Sequence, residues 1–255
     1  MTKKSYAKVN IFLKIAGKRD NYHKLVSRFV RVHNLFDEVT FEKGTFNEFT
    51  LEGDFGCRTE QNTIFKAYQN LSLLSSKVEK YFTTHKVKVE KNIPEFAGLG
   101  GGSSNCATFM IMVNEVCKLG LSKDELSKIA VTIGADVPFF IYEYNSANVT
   151  GIGEIVEKFD EELLDIKTFT PKVACNTGLI FKSFREHHYK EISDEESKKL
   201  LNMKSIDIYN NMSIVEANDL YKPALENYKE LVPKNYSLPN KSYFSGSGSS
   251  FFYIN

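Results

Sequence analysis

HKVKVEKNIPEFAGLGGGSSNCATFMIMVN, residues 85–114, decides how the chain is read. An alternating run over His85–Val89 marks a strand, and Pro94 interrupts the pattern. Four glycines then fall in the five positions from Gly98 to Gly102, and Ser103 to Lys118 reads as a helix closed by Gly120. Glycine lets the backbone take positive φ and approach a ligand closely. The start of a helix adds unpaired N–H groups and a partial positive charge, so phosphate oxygens suit such a nest. Ser103 or Ser104 is expected to cap the helix, with a hydroxyl within reach of a phosphate or of Mg²⁺. A glycine cluster alone also fits a flexible turn. The segment does not match the dinucleotide fingerprint, whose third glycine is replaced by Ser103, nor a P-loop, since GK[ST] is missing. The HRD and VAIK signatures of protein kinases are absent as well.

Outward from the loop, Tyr6–Ile15 alternates with period two and reads as a half-buried strand whose polar face presents Lys8 and Asn10 side by side. Tyr22–His33, Val39–Glu42 and Phe46–Leu51 read as further strands, and Asn62–Phe82 as one helix. Ser122 with Glu125 forms a capping box, with Gly134 as the stop; Ser193 with Glu196 and Ser213 with Glu216 open two later helices. IGADVPFF, residues 133–140, places Asp136 where a helix ends and a strand is expected to begin. A lone carboxylate among Val and Phe is costly to bury unless paired. Lys8 is its candidate partner, keeping it ionised as a base for a hydroxyl proton requires; a backbone-satisfied helix cap is the alternative. Strands outnumber helices early and βαβ alternation is lacking, which favours α+β. A boundary is placed near residue 162, dividing the chain into 1–162 and 163–255, with Pro171–Phe181 read as a strand opening the second half.

The 255 residues are enough for one large domain or two modest ones. Mean hydropathy of −0.30 and the lack of a long apolar run argue against a membrane protein. The opening MTKKSYAKV shows no secretory pattern, so a cytoplasmic location is expected. Cys57, Cys106, Cys117 and Cys175 are scattered, which suits free buried thiols and no metal site. Residues 1–34 carry +8 and the rest −7. Such a basic region suits a phosphorylated small molecule or nucleic acid, or is simply a solvated face.

Together, YAKVNIFLKI with DNYHKL, PEFAGLGGGSSN, IGADVPFF and FSGSGSSFF resemble, in order and from residue 6 to 253, the motifs of the GHMP kinase superfamily. The AKxNxFLxI opening followed by YH resembles the branch acting on 4-diphosphocytidyl-2-C-methyl-D-erythritol in the non-mevalonate isoprenoid route. That resemblance implies a two-domain α+β kinase, its N-terminal domain like ribosomal protein S5 domain 2 and its C-terminal domain ferredoxin-like, with the active site between them. It implies ATP as co-substrate, with Mg²⁺ expected and no protein ligand assigned, and no nucleic acid or membrane as partner. The implied catalytic pair is Asp136, taking the proton of the acceptor's 2-hydroxyl, and Lys8. Pro94, Glu95, Phe96, Ala97, Gly98, Leu99, Gly100, Gly101, Gly102, Ser103 and Ser104 would wrap the ATP phosphates. Asn10 would hold acceptor hydroxyls, Tyr22 and Phe181 would clamp the cytosine, and His23 would bond its edge. Phe29 and Thr177 match pocket positions, and Gly246 and Gly248 would approach substrate phosphates. Two departures stand out: Asn21 and Phe96 occupy positions where the resemblance implies glycine, and asparagine tolerates positive φ better than most residues.

Overall fold

The structure is a computed structural model that describes residues 1–19 and 22–255, without the side chains of Arg19 and Tyr22. Asn21 and its turn lie outside the described residues. The chain runs β1 (Thr2–Arg19), β2 (Tyr22–Lys43), β3 (Leu51–Glu52), α1 (Thr63–Leu74), α2 (Ser76–Phe82), β4 (His85–Glu90), α3 (Gly101–Val116), α4 (Lys123–Ala130) and α5 (Val137–Tyr142). It continues through β5 (Ser146–Gly151), β6 (Ile155–Lys158), β7 (Ile166–Phe169), α6 (Thr177–Ser183), α7 (Asp194–Asn202), α8 (Ser205–Asn211), α9 (Ile214–Ala217), α10 (Tyr221–Asn227), β8 (Tyr243–Phe244) and β9 (Phe251–Ile254). This is the expected α+β mixture. Two compact units form, interleaved in sequence: residues 1–7, 35–93 and 100–143 make the first, and residues 8–34, 94–99 and 144–255 the second. A cut at residue 162 therefore falls inside the second unit, between β6 and β7.

In the first unit, the later half of β2 pairs antiparallel with β4, Val39 opposite Val89, and β3 pairs parallel with β4. Helix α3 packs against α1 and α5 and is buried on most sides, from Ser104 through Val113. Phe109 on α3 meets Phe82 at 5.6 Å and Phe41 at 5.7 Å between ring centroids. Burial of each such ring stabilises by about 1.5–3 kcal/mol. The expected single helix over 62–82 is two: Ser75 is extended at φ −157° and its hydroxyl accepts from Lys77 N–H, starting α2 afresh. Phe46–Leu51 does not form the expected strand. Only Leu51 and Glu52 pair with β4, while Phe49 stacks on Tyr68 at 4.1 Å. After Asp136 the chain is helical, not a strand. Pro138 in the first turn suits a helix start, and a short apolar run has the same pattern in a buried helix as in a strand. The Ser122–Glu125 and Ser213–Glu216 capping boxes both form.

In the second unit, the earlier half of β2 pairs with β5, and β5 with β6. β8 and β9 form a hairpin, Phe244 opposite Phe251, with β7 along β9. Residues 22–43 form one strand where two were expected. Pro171–Phe181 is not a strand either: the Asn176 side chain accepts from Leu179 N–H at 3.0 Å and caps α6. Leu13, Ile15, Ile180, Phe184, Tyr221, Phe244 and Phe251 share its apolar core. The expected half-buried first strand is buried on both faces from Ala7 to Leu13. Cys57 is exposed, unlike the other three cysteines and against expectation.

The basic N-terminal charge is also partly interior. Arg28 is fully buried, its guanidinium 3.3 Å from the centroid of Phe159 and bonded to Asn148 Oδ1 at 2.7 Å and Leu201 O at 2.9 Å. Burial outweighs the attraction of Glu161 and pulls its pKa down to about 10. Removing one partner of such a pair strands the other charge. Arg28→Ala should therefore lose about 3–5 kcal/mol of stability in a denaturant melt, and an unchanged midpoint would contradict this packing.

Candidate active site

Lys8 is 3% exposed and Asn10 1% exposed, adjacent on one face of β1 as alternation requires. The Lys8 ammonium donates to Asn10 Oδ1 at 2.7 Å and to the Gly98 carbonyl at 3.1 Å, and lies 4.6 Å from the centroid of Phe29. Lys8 N–H also donates to Leu99 O at 3.0 Å, so strand and loop are tied by main chain as well. Asn10 Nδ2 donates to Ser27 Oγ at 2.9 Å, which fixes its amide orientation. The Gly98 carbonyl takes a second donor, Ser245 Oγ at 2.9 Å, from the β8–β9 turn. That turn is held by Asn218, whose amide donates to Phe244 O and Gly246 O at 2.9 Å each. A Cβ placed on Gly246 would lie 3.2 Å from Gly98 O and 3.5 Å from Asn10 Oδ1. Five expected site residues, Lys8, Asn10, Phe29, Gly98 and Gly246, therefore share one cluster. Gly248 joins it through its backbone nitrogen, 3.1 Å from a Cβ placed on Gly98. Thr177 reaches the same turn, its hydroxyl 2.8 Å from Ser247 Oγ.

Ala97 and Leu99 are buried, and Pro94, Glu95 and Phe96 are at least partly exposed. Phe96 has φ +52° and is 62% exposed. The left-handed backbone is thus present where the resemblance implies glycine, at a cost of about 1–2 kcal/mol for a residue with a Cβ.

In the first unit, α3 begins at Gly101, two residues before the expected start, with Gly100 at φ +71° as its cap and without a side-chain cap. Serine cannot serve there because the cap is left-handed. Ser104 is 1% exposed and its hydroxyl accepts from Ser5 at 2.8 Å, whereas Ser103 is half-buried. A Cβ on Gly134 would lie 3.8 Å from Ser103 Oγ, which sets the turn before Asp136 against the first turn of α3. Asp136 precedes α5 at φ −85° and makes no capping bond, so the alternative reading as a helix cap is not realised.

His23 is buried and stacks on Phe181 with 5.3 Å between centroids and 21° between planes. Its Nε2 is buried and has no hydrogen-bond partner. Desolvation first, then Arg185 and Lys18, push its pKa below the usual 6.5. The Tyr22 side chain lies outside the described residues. Ser245 and Asn218 were not singled out from sequence. SGSGSS marks a turn, but only the folded chain brings it to Gly98.

Residues 62–144 match the family model described as GHMP kinases N terminal domain. The 4-diphosphocytidyl-2-C-methyl-D-erythritol kinase of Sulfurimonas denitrificans is 53% identical over 98% of this chain and 96% of its own length. That of Sulfurovum sp. is 45% identical over 98% and 97%. A crystal structure of 4-(cytidine 5'-diphospho)-2C-methyl-D-erythritol kinase superposes with a TM-score of 0.75 at 26% identity, covering 100% of this chain and 90% of that one.

A Cβ on Gly98, at φ +73°, would sit 2.1 Å from the Ser245 carbonyl oxygen. Gly98→Ala should weaken binding of a non-hydrolysable ATP analogue by about tenfold or more in calorimetry. Gly120→Ala, at φ +71° with open space around it, should leave that affinity unchanged. Equal affinities in both variants would contradict the packing at Gly98.

Proposed function

The chain belongs to the 4-diphosphocytidyl-2-C-methyl-D-erythritol kinase family, and from that membership we propose that it transfers the γ-phosphate of ATP to the 2-hydroxyl of this acceptor. The step belongs to non-mevalonate isoprenoid precursor synthesis. The observation that best supports the residue assignments is the buried Lys8 ammonium seated on the Gly98 carbonyl. A cation held against the glycine loop suits the stabilisation of transferred charge, since phosphoryl transfer depends mainly on positioning and electrostatics.

In this reading the loop from Pro94 to Ser104 wraps the triphosphate, with unpaired N–H groups at the start of α3 receiving phosphate oxygens. The acceptor oxygen bonds to the γ-phosphorus, the bond from that phosphorus to the β–γ bridging oxygen breaks, and ADP leaves. Asp136 takes the hydroxyl proton, Lys8 positions the transferred group, and Asn10 fixes acceptor hydroxyls. Phe29, Thr177, Gly246 and Gly248 line the acceptor and its phosphates. The orphaned His23 Nε2 offers a hydrogen bond to the cytosine edge, with Phe181 backing the imidazole and Tyr22 supplying a further aromatic face.

Mg²⁺ binds chiefly through substrate phosphates and waters and needs one or two protein oxygens. Among the described residues no cluster of three or more His, Cys, Asp or Glu could cage a metal, and the half-buried Ser103 hydroxyl at the start of α3 suits an ion carried in this way. Ser103 would hold it, and it would neutralise charge on the phosphates. No helix among the described residues is long and apolar enough to cross a membrane.

The test is turnover of ATP with 4-diphosphocytidyl-2-C-methyl-D-erythritol, following ADP and the phosphorylated product. Cytidine diphosphate should compete, and absent turnover or absent competition would overturn the reading. Asp136→Asn should remove nearly all turnover while ATP binding persists; retention of most activity would discard its role as base. His23 must be neutral to offer both donor and acceptor character. Its ring pKa, followed by NMR, should lie below 6.5, so KM for the acceptor rises only as pH falls through that lowered value. The folded state binds this proton less readily than the unfolded chain, so His23 contributes stability that is lost as pH falls below 6.5.

A further inference from the structure

Asp37 is fully buried, and its carboxylate is saturated. Oδ1 accepts from the backbone N–H of Asn92 at 2.6 Å and of Ile93 at 2.8 Å. Oδ2 accepts from Asn105 Nδ2 at 2.9 Å and from the Lys91 ammonium. Lys91 also donates to Asn105 Oδ1 at 3.0 Å, and Asn105 Nδ2 donates to Ser5 Oγ at 2.9 Å. Ser5 in turn holds the Ser104 hydroxyl. One carboxylate thus grips the two residues before Pro94 and the residue after Ser104, the two ends of the glycine loop.

We propose that Asp37 is a positioning residue for nucleotide binding, a buckle that holds both ends of the 94–104 loop so that its phosphate-binding backbone is formed before ATP arrives. This rests on the loop being the ATP site, as proposed above. A glycine-rich loop loses much backbone entropy when it orders, and ends already fixed reduce that cost at the moment of binding. A buried ion pair contributes little stability relative to apolar packing, because desolvation offsets its attraction. Its best-attested use is to fix geometry, and here what it fixes is the entry and exit of the loop.

The alternative is electrostatic. A Cβ on Gly101 would lie 3.5 Å from the Lys91 ammonium, so Lys91 is near the start of α3. If local charge were what mattered, Asp37→Asn would leave that ammonium uncompensated and would tighten binding of an anion. Positioning makes the opposite demand: the same substitution exchanges an acceptor for an amide that cannot serve four donors, and binding weakens.

The experiment titrates a non-hydrolysable ATP analogue with Mg²⁺ into the full chain, wild type against Asp37→Asn and Asn105→Ala, and adds steady-state kinetics. Each variant should raise the analogue Kd by about tenfold or more. KM for ATP should rise with it, while kcat at saturating ATP and KM for the acceptor stay within about threefold. Asp37→Asn binding the analogue as tightly as wild type, or more tightly, would overturn the proposal, as would equal falls in kcat and in affinity for both substrates. If Asp37→Asn does not fold, Asn105→Ala decides. If neither folds, hydrogen exchange of the nucleotide-free wild type decides. Amides of Asn92, Ile93 and Ser104, bonded to the Asp37 carboxylate and the Gly100 carbonyl, should be protected like the body of α3, and exchange at unfolded rates would overturn the claim. Analogue binding does not depend on the acceptor, so failure of the kinase reading would show separately, as wild-type loop binding without turnover.

Discussion

The carbonyl oxygen of Gly98 receives two hydrogen bonds, one from the Lys8 ammonium and one from Ser245 Oγ. One donor comes from the first strand and the other from the last hairpin, so a single acceptor collects residues far apart in sequence. The arrangement demands a left-handed backbone at position 98 and leaves no space for a Cβ against the Ser245 carbonyl. Glycine is therefore required there by packing as well as by any ligand. Ser250 N–H bonding to Ala97 O at 3.1 Å extends the same contact along the loop.

Charge is placed with similar economy. Overall neutrality conceals a basic N-terminal stretch, and part of its charge is turned inward. Lys8 is seated on the loop, Arg28 lies across Phe159, and Lys14 pairs with Asp219. A buried cation without such partners would be costly, so each is matched to carbonyls, carboxylates or an aromatic face.

Signals confined to a few neighbouring residues were legible in the sequence. The alternation of Tyr6–Ile15 placed Lys8 beside Asn10, the glycine run announced the turn before α3, and Ser122 with Glu125 announced α4. Features set by distant contacts were not. Val137–Ile141 is uniformly apolar, so helix and strand were indistinguishable until α5 was seen packing on α3. Strand β1 read as half-buried because nothing local reveals that the glycine loop covers its polar face. Asp37 was one acidic residue among 32, and its importance appears only when Asn92, Ile93 and Asn105 are brought around it. Phe96 shows the reverse case: a substitution visible in sequence proved compatible with the backbone conformation implied for glycine.

The most direct measurement is a crystal structure of the chain with a non-hydrolysable ATP analogue. Its triphosphate should lie on the amides of Gly100 to Ser104, with the Lys8 ammonium still bonded to the Gly98 carbonyl and within reach of the γ-phosphate. A triphosphate bound away from these amides, or a Lys8 side chain withdrawn from Gly98 and from the phosphates, would contradict the account.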